Sequence, residues 1–175
     1  MAFTRDDFLA RHPWLYHFTT PRNVDLLRAE RAMLSAAAWV DRANAFRPQI
    51  EDPHGYLGAP RLQCRTFDIY HDRTVTLNDQ LPIQYAGQCN NLQGTYPDFL
   101  RCLNGYVFFW PGSDEGPKPT GKLASRFASR YAAFGLLRVS AAPLWPQYGS
   151  PIRFCRYNSG APQARTKAPV DRKSS

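Results

Sequence analysis

The chain has 175 residues, 43% hydrophobic and 14% aromatic, which suffices for one buried core and excludes a wholly disordered polypeptide. No run approaches the roughly 20 apolar residues of a membrane-spanning helix, and the charged N-terminal residues do not resemble a signal peptide, so we expect a cytoplasmic protein with no membrane partner. A formal net charge of +8 favours anionic partners, but the basic residues are scattered and charge alone does not identify a nucleic-acid-binding protein.

The first part of the chain is predicted to combine short helices with one strand. Thr4 can cap a helix over residues 4–11, and the alternating pattern of residues 14–19 predicts a strand. Thr20, followed by Pro21, can begin a second helix, and Ser35 can cap a third that ends before Pro48. Residues 48–63 are rich in proline and glycine and predict a long loop.

The second part is predicted to contain a strand over residues 73–77 and helices near residues 83–91 and 96–103. The most hydrophobic run, residues 106–110, predicts a buried central strand. A turn-rich loop follows, then a helix over residues 122–135 with Gly135 as its C-terminal stop, then two last strands. Together these elements predict one α+β domain over residues 1–162 and a disordered basic tail over residues 163–175.

Several kinds of chemistry have no support in the sequence. The four cysteines form no CxxC pair and have no histidine three or four residues away, so we expect reduced, mostly buried thiols and no metal site. A cysteine nucleophile would require a nearby histidine that the sequence does not place. The sequence contains no GxGxxG, Walker, GxSxG or HExxH motif, which leaves dehydrogenase, NTPase, hydrolase and zinc-protease functions without a basis.

Four polar patterns are candidate sites, each with a structural alternative. His17 and Thr19 project from the same face of the predicted strand and, with Asn23, can present hydrogen-bonding groups to a sugar or an amide, or simply pack at a strand edge. Asp79 is a candidate acid or only a helix cap. Tyr106 is a candidate for stacking on a base or nicotinamide ring, or it belongs to the core.

The fourth pattern is the segment RYNSGAP, residues 156–162. Asn158 and Ser159 precede a glycine, and a tight turn of this kind can hold a phosphate or a ribose. Ordinary hairpin turns have the same composition, so the pattern predicts either a ligand contact or a plain turn.

Taken in order, LYHFT with Asn23, Leu34-Ser35, NDQLP, LNGYVFFWP and RYNSGAP resemble the landmarks of a bacterial domain family of unknown function over about residues 14–165. The opening of that family, an aromatic-His-x-Thr strand followed by an Asn-bearing helix, is in turn distantly similar to DarT-like toxins of the ADP-ribosyltransferase superfamily. The resemblance implies a mixed, split β-sheet with flanking helices and a cleft that binds NAD as a substrate, without a metal.

The same resemblance implies roles for individual residues. His17 and Thr19 would hydrogen-bond NAD, and Asn23 would support that contact. An arginine after the first helices, Arg42 or Arg47, would hold a phosphate. Cleavage of the glycosidic bond through an oxocarbenium-like state calls for a carboxylate near the nicotinamide ribose.

That carboxylate is where the sequence departs from the superfamily. A glutamate is expected on a late strand, but Asn158 and Ser159 stand near its place. Either Asp79 or Glu115 supplies the charge, or catalysis is altered or absent. The resemblance therefore implies an ADP-ribosyltransferase of toxin or defence type that modifies a nucleic acid or a protein, with an antitoxin as partner, and the missing glutamate leaves open a non-catalytic module that binds a nucleotide or nucleic acid. A third interpretation is a partner-binding protein whose motifs are all structural.

Overall fold

The computed structural model describes residues 4–80, 94–118, 128–129, 131–144 and 152, which form five helices and six strands. The helices are α1 (Arg5–Arg11), α2 (Pro21–Glu30), α3 (Ala36–Phe46), α4 (Pro53–Gly58) and α5 (Tyr96–Asn104). The strands are β1 (Trp14–Thr19), β2 (Arg65–Asp68), β3 (Thr74–Leu77), β4 (Trp110–Ser113), β5 (Gly116–Pro117) and β6 (Gly135–Ser140). The predicted α+β class is confirmed.

Helix starts follow the capping residues of the sequence. The side chains of Thr4, Thr20, Ser35 and Thr95 each accept a hydrogen bond from a backbone N–H in the first turn of the helix that follows. These bonds satisfy donors that have no partner inside the helix, which fixes where each helix begins. The predicted starts of α1, α2 and α3 are therefore confirmed.

Strand β1 lies between β4 and β6 in a curled antiparallel sheet with the order β5-β4-β1-β6. It pairs with β6 along its whole length, with Thr19 opposite Gly135, and its first half pairs with β4. Strands β2 and β3 form a separate antiparallel hairpin, so the predicted split of the β structure is observed. Every pairing in the described part is antiparallel, whereas a mixed sheet was predicted.

The main core lies between the β2–β3 hairpin and helices α2 and α3. Its fully buried members include Val40, Phe67, Ile69 and Val75. Burial of such side chains is worth about 1.5–3 kcal/mol each, so this cluster supplies much of the stability that holds α2 against the hairpin. This packing fixes α2 where its Asn23 side chain reaches a strand of each sheet.

The prediction of a central strand over residues 106–110 was wrong. Only Trp110 belongs to a strand, and Tyr106 is exposed. The aromatic side chains of this run instead cover β1: the Phe109 ring lies 5.9 Å from the His17 ring, and Trp110 packs edge-on against Phe18. The run is hydrophobic because its aromatic side chains pack against β1, not because the run is itself a central strand.

Three further predictions need correction. The predicted loop over residues 48–63 contains α4, which Asp52 caps by accepting a hydrogen bond from the Gly55 N–H. Strand β2 was not predicted. Gly135 begins β6 and does not end a helix; a Cβ there would overlap the Val24 side chain, so the close approach of α2 and β6 requires glycine.

The remaining predictions fall largely outside the described residues. Residues 128–129 are helical, within the helix predicted over 122–135, but residues 131–134 of that prediction are not helical. The helix near 83–91, the last strand and the tail lie beyond the described ranges. None of the helices that the structure describes is long and apolar enough to cross a bilayer.

Candidate functional site

His17 lies on β1 with its imidazole half-buried against Phe109. Its Nδ1 is 2.9 Å from the carbonyl oxygen of Phe108. A carbonyl oxygen only accepts, so the neutral ring carries its hydrogen on Nδ1 and leaves Nε2 as an acceptor. Burial lowers the pKa of His17 below its ordinary value of 6.5, more strongly than the Phe108 carbonyl raises it. At neutral pH the ring is therefore uncharged, with a defined tautomer.

Thr19 and Asn23 form a buried hydrogen-bonded node that links the two sheets. Thr19 is 5% exposed and Asn23 6% exposed. The Asn23 side-chain amide donates to the Thr19 hydroxyl at 2.9 Å and to the Thr76 carbonyl at 2.7 Å, and its oxygen accepts from the Thr76 N–H at 2.9 Å. Asn23 thus bonds the end of β1 and both backbone groups of a β3 residue. It holds Thr19 in place and has little capacity left for a ligand.

The two predicted phosphate-binding arginines already have partners. Arg42 lies 2.8 Å from Glu30 and stacks over the Tyr70 ring at 4.8 Å. Arg47 forms an ion pair with Asp68. A phosphate at Arg42 would have to displace a carboxylate that also binds Arg73 at 2.8 Å. Both predicted arginines are therefore already neutralised by carboxylates.

The two candidate carboxylates occupy different surroundings. Asp79 follows β3 and accepts a 2.6 Å hydrogen bond from the Tyr131 hydroxyl. Glu115 sits at the exposed turn between β4 and β5 and pairs with Lys118 at 2.9 Å, which lowers the Glu115 pKa. Because Asp79 follows Thr76 by three residues, it is the carboxylate nearer in the chain to the Asn23 node.

The other predicted ligand contacts are not assembled around this node. Tyr106 is 43% exposed just after α5, where its backbone N–H bonds the Leu103 carbonyl. Asn158 and Ser159 lie outside the described residues. The structure thus brings together Thr19 and Asn23, with His17 two residues earlier on the same strand.

A second polar network, around Arg61, was not predicted. The Arg61 Nε donates to the Asn78 carbonyl at 3.0 Å, and its Nη1 donates to the Asn104 side-chain oxygen at 2.9 Å. Asn104 is 3% exposed and also accepts from Gln80 at 3.1 Å while it donates to the Leu57 carbonyl at 2.8 Å. The network joins α4, α5 and the end of β3.

The position of Asn104 in the sequence could have indicated this network. Leu100 and Asn104 are four residues apart on α5, and both are buried, so the asparagine occupies a core-facing helical position. A polar residue at such a position requires hydrogen-bond partners and marks a buried network. Arg61 itself, between Pro60 and Leu62 in a proline- and glycine-rich segment, gives no comparable signal.

Two of the four cysteines, Cys64 and Cys102, lie in described residues, and both are exposed free thiols, so the prediction of buried thiols was wrong for these two. The Cys64 Sγ is 3.9 Å from Asp79. Over the described ranges, no three or more His, Cys, Asp or Glu side chains group together as a metal site would require.

The fold and contacts define an α+β domain in which one asparagine joins two antiparallel sheets beside a neutral histidine. The chain belongs to DUF7002, a family of unknown function, whose sequence model matches residues 13–174. This match confirms the predicted membership of a domain family of unknown function. No curated protein and no solved structure matches the chain. The distant resemblance to DarT-like ADP-ribosyltransferases stays a prediction.

Proposed function

We propose that this domain binds a nucleotide, with NAD as the first candidate, and that the His17 imidazole accepts a hydrogen bond from a ribose hydroxyl. The observation that carries the proposal is the Nδ1 contact with the Phe108 carbonyl. This contact fixes the neutral tautomer in which Nε2 is a hydrogen-bond acceptor. A ribose hydroxyl can donate a hydrogen bond to such a nitrogen. NAD is the candidate because the sequence resemblance implies it.

The surroundings of His17 support a preorganised contact. Phe109 packs beside the ring and gives it an apolar neighbour. Asn23 ties Thr19, on the same strand, to β3, so the C-terminal half of β1 is held on both sides. A group that is already fixed loses less conformational entropy when a ligand binds, which favours affinity. In this proposal Thr19 and Asn23 are positioning residues.

Calorimetric titration of the full chain with NAD tests the proposal. Wild-type protein is expected to bind NAD, and His17→Ala to weaken binding about ten-fold or more, as for the loss of a good hydrogen bond in a desolvated site. His54→Ala is the matched control, because His54 is exposed on α4, and it should leave binding unchanged. A folded wild-type protein that does not bind NAD would refute the choice of ligand.

A second candidate function is ADP-ribosyl transfer, which the sequence resemblance implies and for which Asp79 would supply the carboxylate. In that reaction the bond between the anomeric carbon and the nicotinamide nitrogen breaks, nicotinamide leaves with the electron pair, and an acceptor atom bonds to the carbon and loses its proton. A carboxylate stabilises the positive charge that develops on the ribose. The acceptor class, nucleic acid or protein, is drawn from the resemblance and from the net charge of +8.

Release of nicotinamide from NAD tests this candidate. If Asp79 is the catalytic carboxylate, Asp79→Asn abolishes release while NAD binding persists, and Glu115→Gln leaves release unchanged because Glu115 is paired with Lys118 at an exposed turn. If wild-type protein binds NAD without releasing nicotinamide over long incubation, even with nucleic acid added, the non-catalytic binding module is the function.

A further inference from the structure

A cleft of about 360 Å³ opens along the segment that joins α4 to β2. Its wall includes Tyr56, Arg61, Cys64 and Arg65, and none of its lining residues is a carboxylate. Two arginines therefore face one concave surface. A cleft lined by charge of one sign concentrates ions of the opposite sign, because low-dielectric walls focus the field.

Arg61 is the half-buried cation of the cleft. Its two side-chain bonds go to neutral acceptors, the Asn78 carbonyl and the Asn104 amide oxygen, and it forms no ion pair within the described ranges. Burial lowers the Arg61 pKa, but a guanidinium keeps its charge at neutral pH. A partly buried guanidinium whose hydrogen bonds go to neutral groups keeps part of its desolvation cost, and a bound anion would offset that cost.

Arg65 and Tyr56 add to the same wall. The Arg65 guanidinium stacks over the Tyr56 ring at 5.2 Å and over the Phe67 ring at 4.9 Å, and it too forms no ion pair in the part of the chain that the structure describes. The Tyr56 hydroxyl is buried and has no hydrogen-bond partner among described groups. Burial raises the pKa of Tyr56, so its hydroxyl stays a donor.

We propose that this cleft, with Arg61 at its base and Arg65 at its edge, binds the phosphate group of a phosphate-bearing small molecule. Guanidinium groups present paired N–H donors that match phosphate oxygens, and such charge-assisted hydrogen bonds are about twice as strong as neutral ones. Asp79, the nearest acid to this network, is engaged by the Tyr131 hydroxyl and Cys64. Asp79 forms no direct ion pair with Arg61 among the described contacts, but its charge attracts the guanidinium and partly opposes the lowering of the Arg61 pKa by burial.

The test uses calorimetry of the full chain with inorganic pyrophosphate at low salt. Wild-type protein is expected to bind, and Arg65→Gln to weaken binding about ten-fold, in line with loss of a hydrogen bond between charged groups. Arg65 is exposed, so this variant should fold. Arg28→Gln is the matched control, because it removes the same charge from an exposed site on α2, outside the cleft lining, and should change binding by less than about two-fold.

Two further variants sharpen the result. Arg61→Lys keeps the charge but loses the planar fork, and it should also weaken pyrophosphate binding. His17→Ala should have no effect, because pyrophosphate has no ribose, so failure of this proposal is separate from failure of the nucleotide proposal. Tighter binding of AMP than of inorganic phosphate assigns the cleft to a nucleotide phosphate, and equal binding assigns it to free phosphate. The proposal is overturned if pyrophosphate does not bind, or if Arg28→Gln weakens binding as much as Arg65→Gln.

Discussion

Substitution of Asn23 by alanine is expected to destabilise the fold strongly, because this one side chain bonds both sheets. The variant leaves the Thr76 N–H and carbonyl without their side-chain partner and removes the bond to the Thr19 hydroxyl. Each buried backbone group left unpaired costs about 1–3 kcal/mol, and the hydroxyl can rotate to another partner. We therefore expect a loss of about 2–4 kcal/mol, a large share of the stability of a typical domain.

Urea unfolding followed by circular dichroism measures this loss. The midpoint should fall while the denaturant slope stays unchanged, since the surface exposed on unfolding is the same. Thr19→Val removes a single hydroxyl from the same node and should cost about 1 kcal/mol, which provides a graded comparison. An Asn23→Ala protein within about 0.5 kcal/mol of wild type would refute the structural role of the node.

Three further variants test other contacts. Because burial lowers the pKa of His17 below 6.5, the unfolded chain takes up a proton below pH 6.5 before the folded one does, so stability should fall as the pH drops through that value, and His17→Gln should flatten this slope in pH-dependent melting curves. Gly112→Ala should lower stability by about 1–3 kcal/mol in urea, because its Cβ would overlap the Gly116 carbonyl oxygen; a neutral effect would contradict the β4–β5 geometry. Asn104→Ala removes a buried acceptor from Arg61 and should cost about 2 kcal/mol or more by the same assay, whereas a cost near zero would argue against the network.

The helices and the strand of the N-terminal part could be predicted because capping residues and alternating side chains are local features of the sequence. Thr4, Thr20 and Ser35 act as caps through bonds to residues three positions on, and the alternation of residues 14–19 directly reflects a strand. Strand β2 could not be predicted, because its residues do not alternate between buried and exposed positions as those of β3 do, and its pairing with β3 defines it. The strand prediction for residues 106–110 was wrong because a hydrophobic segment can cover a neighbouring strand with its side chains without itself being a strand.

The candidate site was only partly predictable. His17, Thr19 and Asn23 stood out by their spacing, but the tautomer of His17 depends on Phe108, which is 91 residues away. The partners of Arg61 likewise come from separate elements, with Asn104 43 residues further on. Bonds of this kind follow from tertiary packing, which a local pattern does not contain. Sequence therefore indicated which polar residues to examine, and the fold determined what each one bonds.

The most direct test of the nucleotide proposal is a titration of ¹⁵N-labelled protein with NAD, followed by NMR on the imidazole nitrogens. The His17 Nε2 signal is expected to start at the position of an unprotonated nitrogen and to shift on binding, as it accepts a hydrogen bond, while the signals of exposed His54 stay in place. Saturable NAD binding with unchanged His17 signals, or no NAD binding by the folded protein, would contradict the nucleotide proposal.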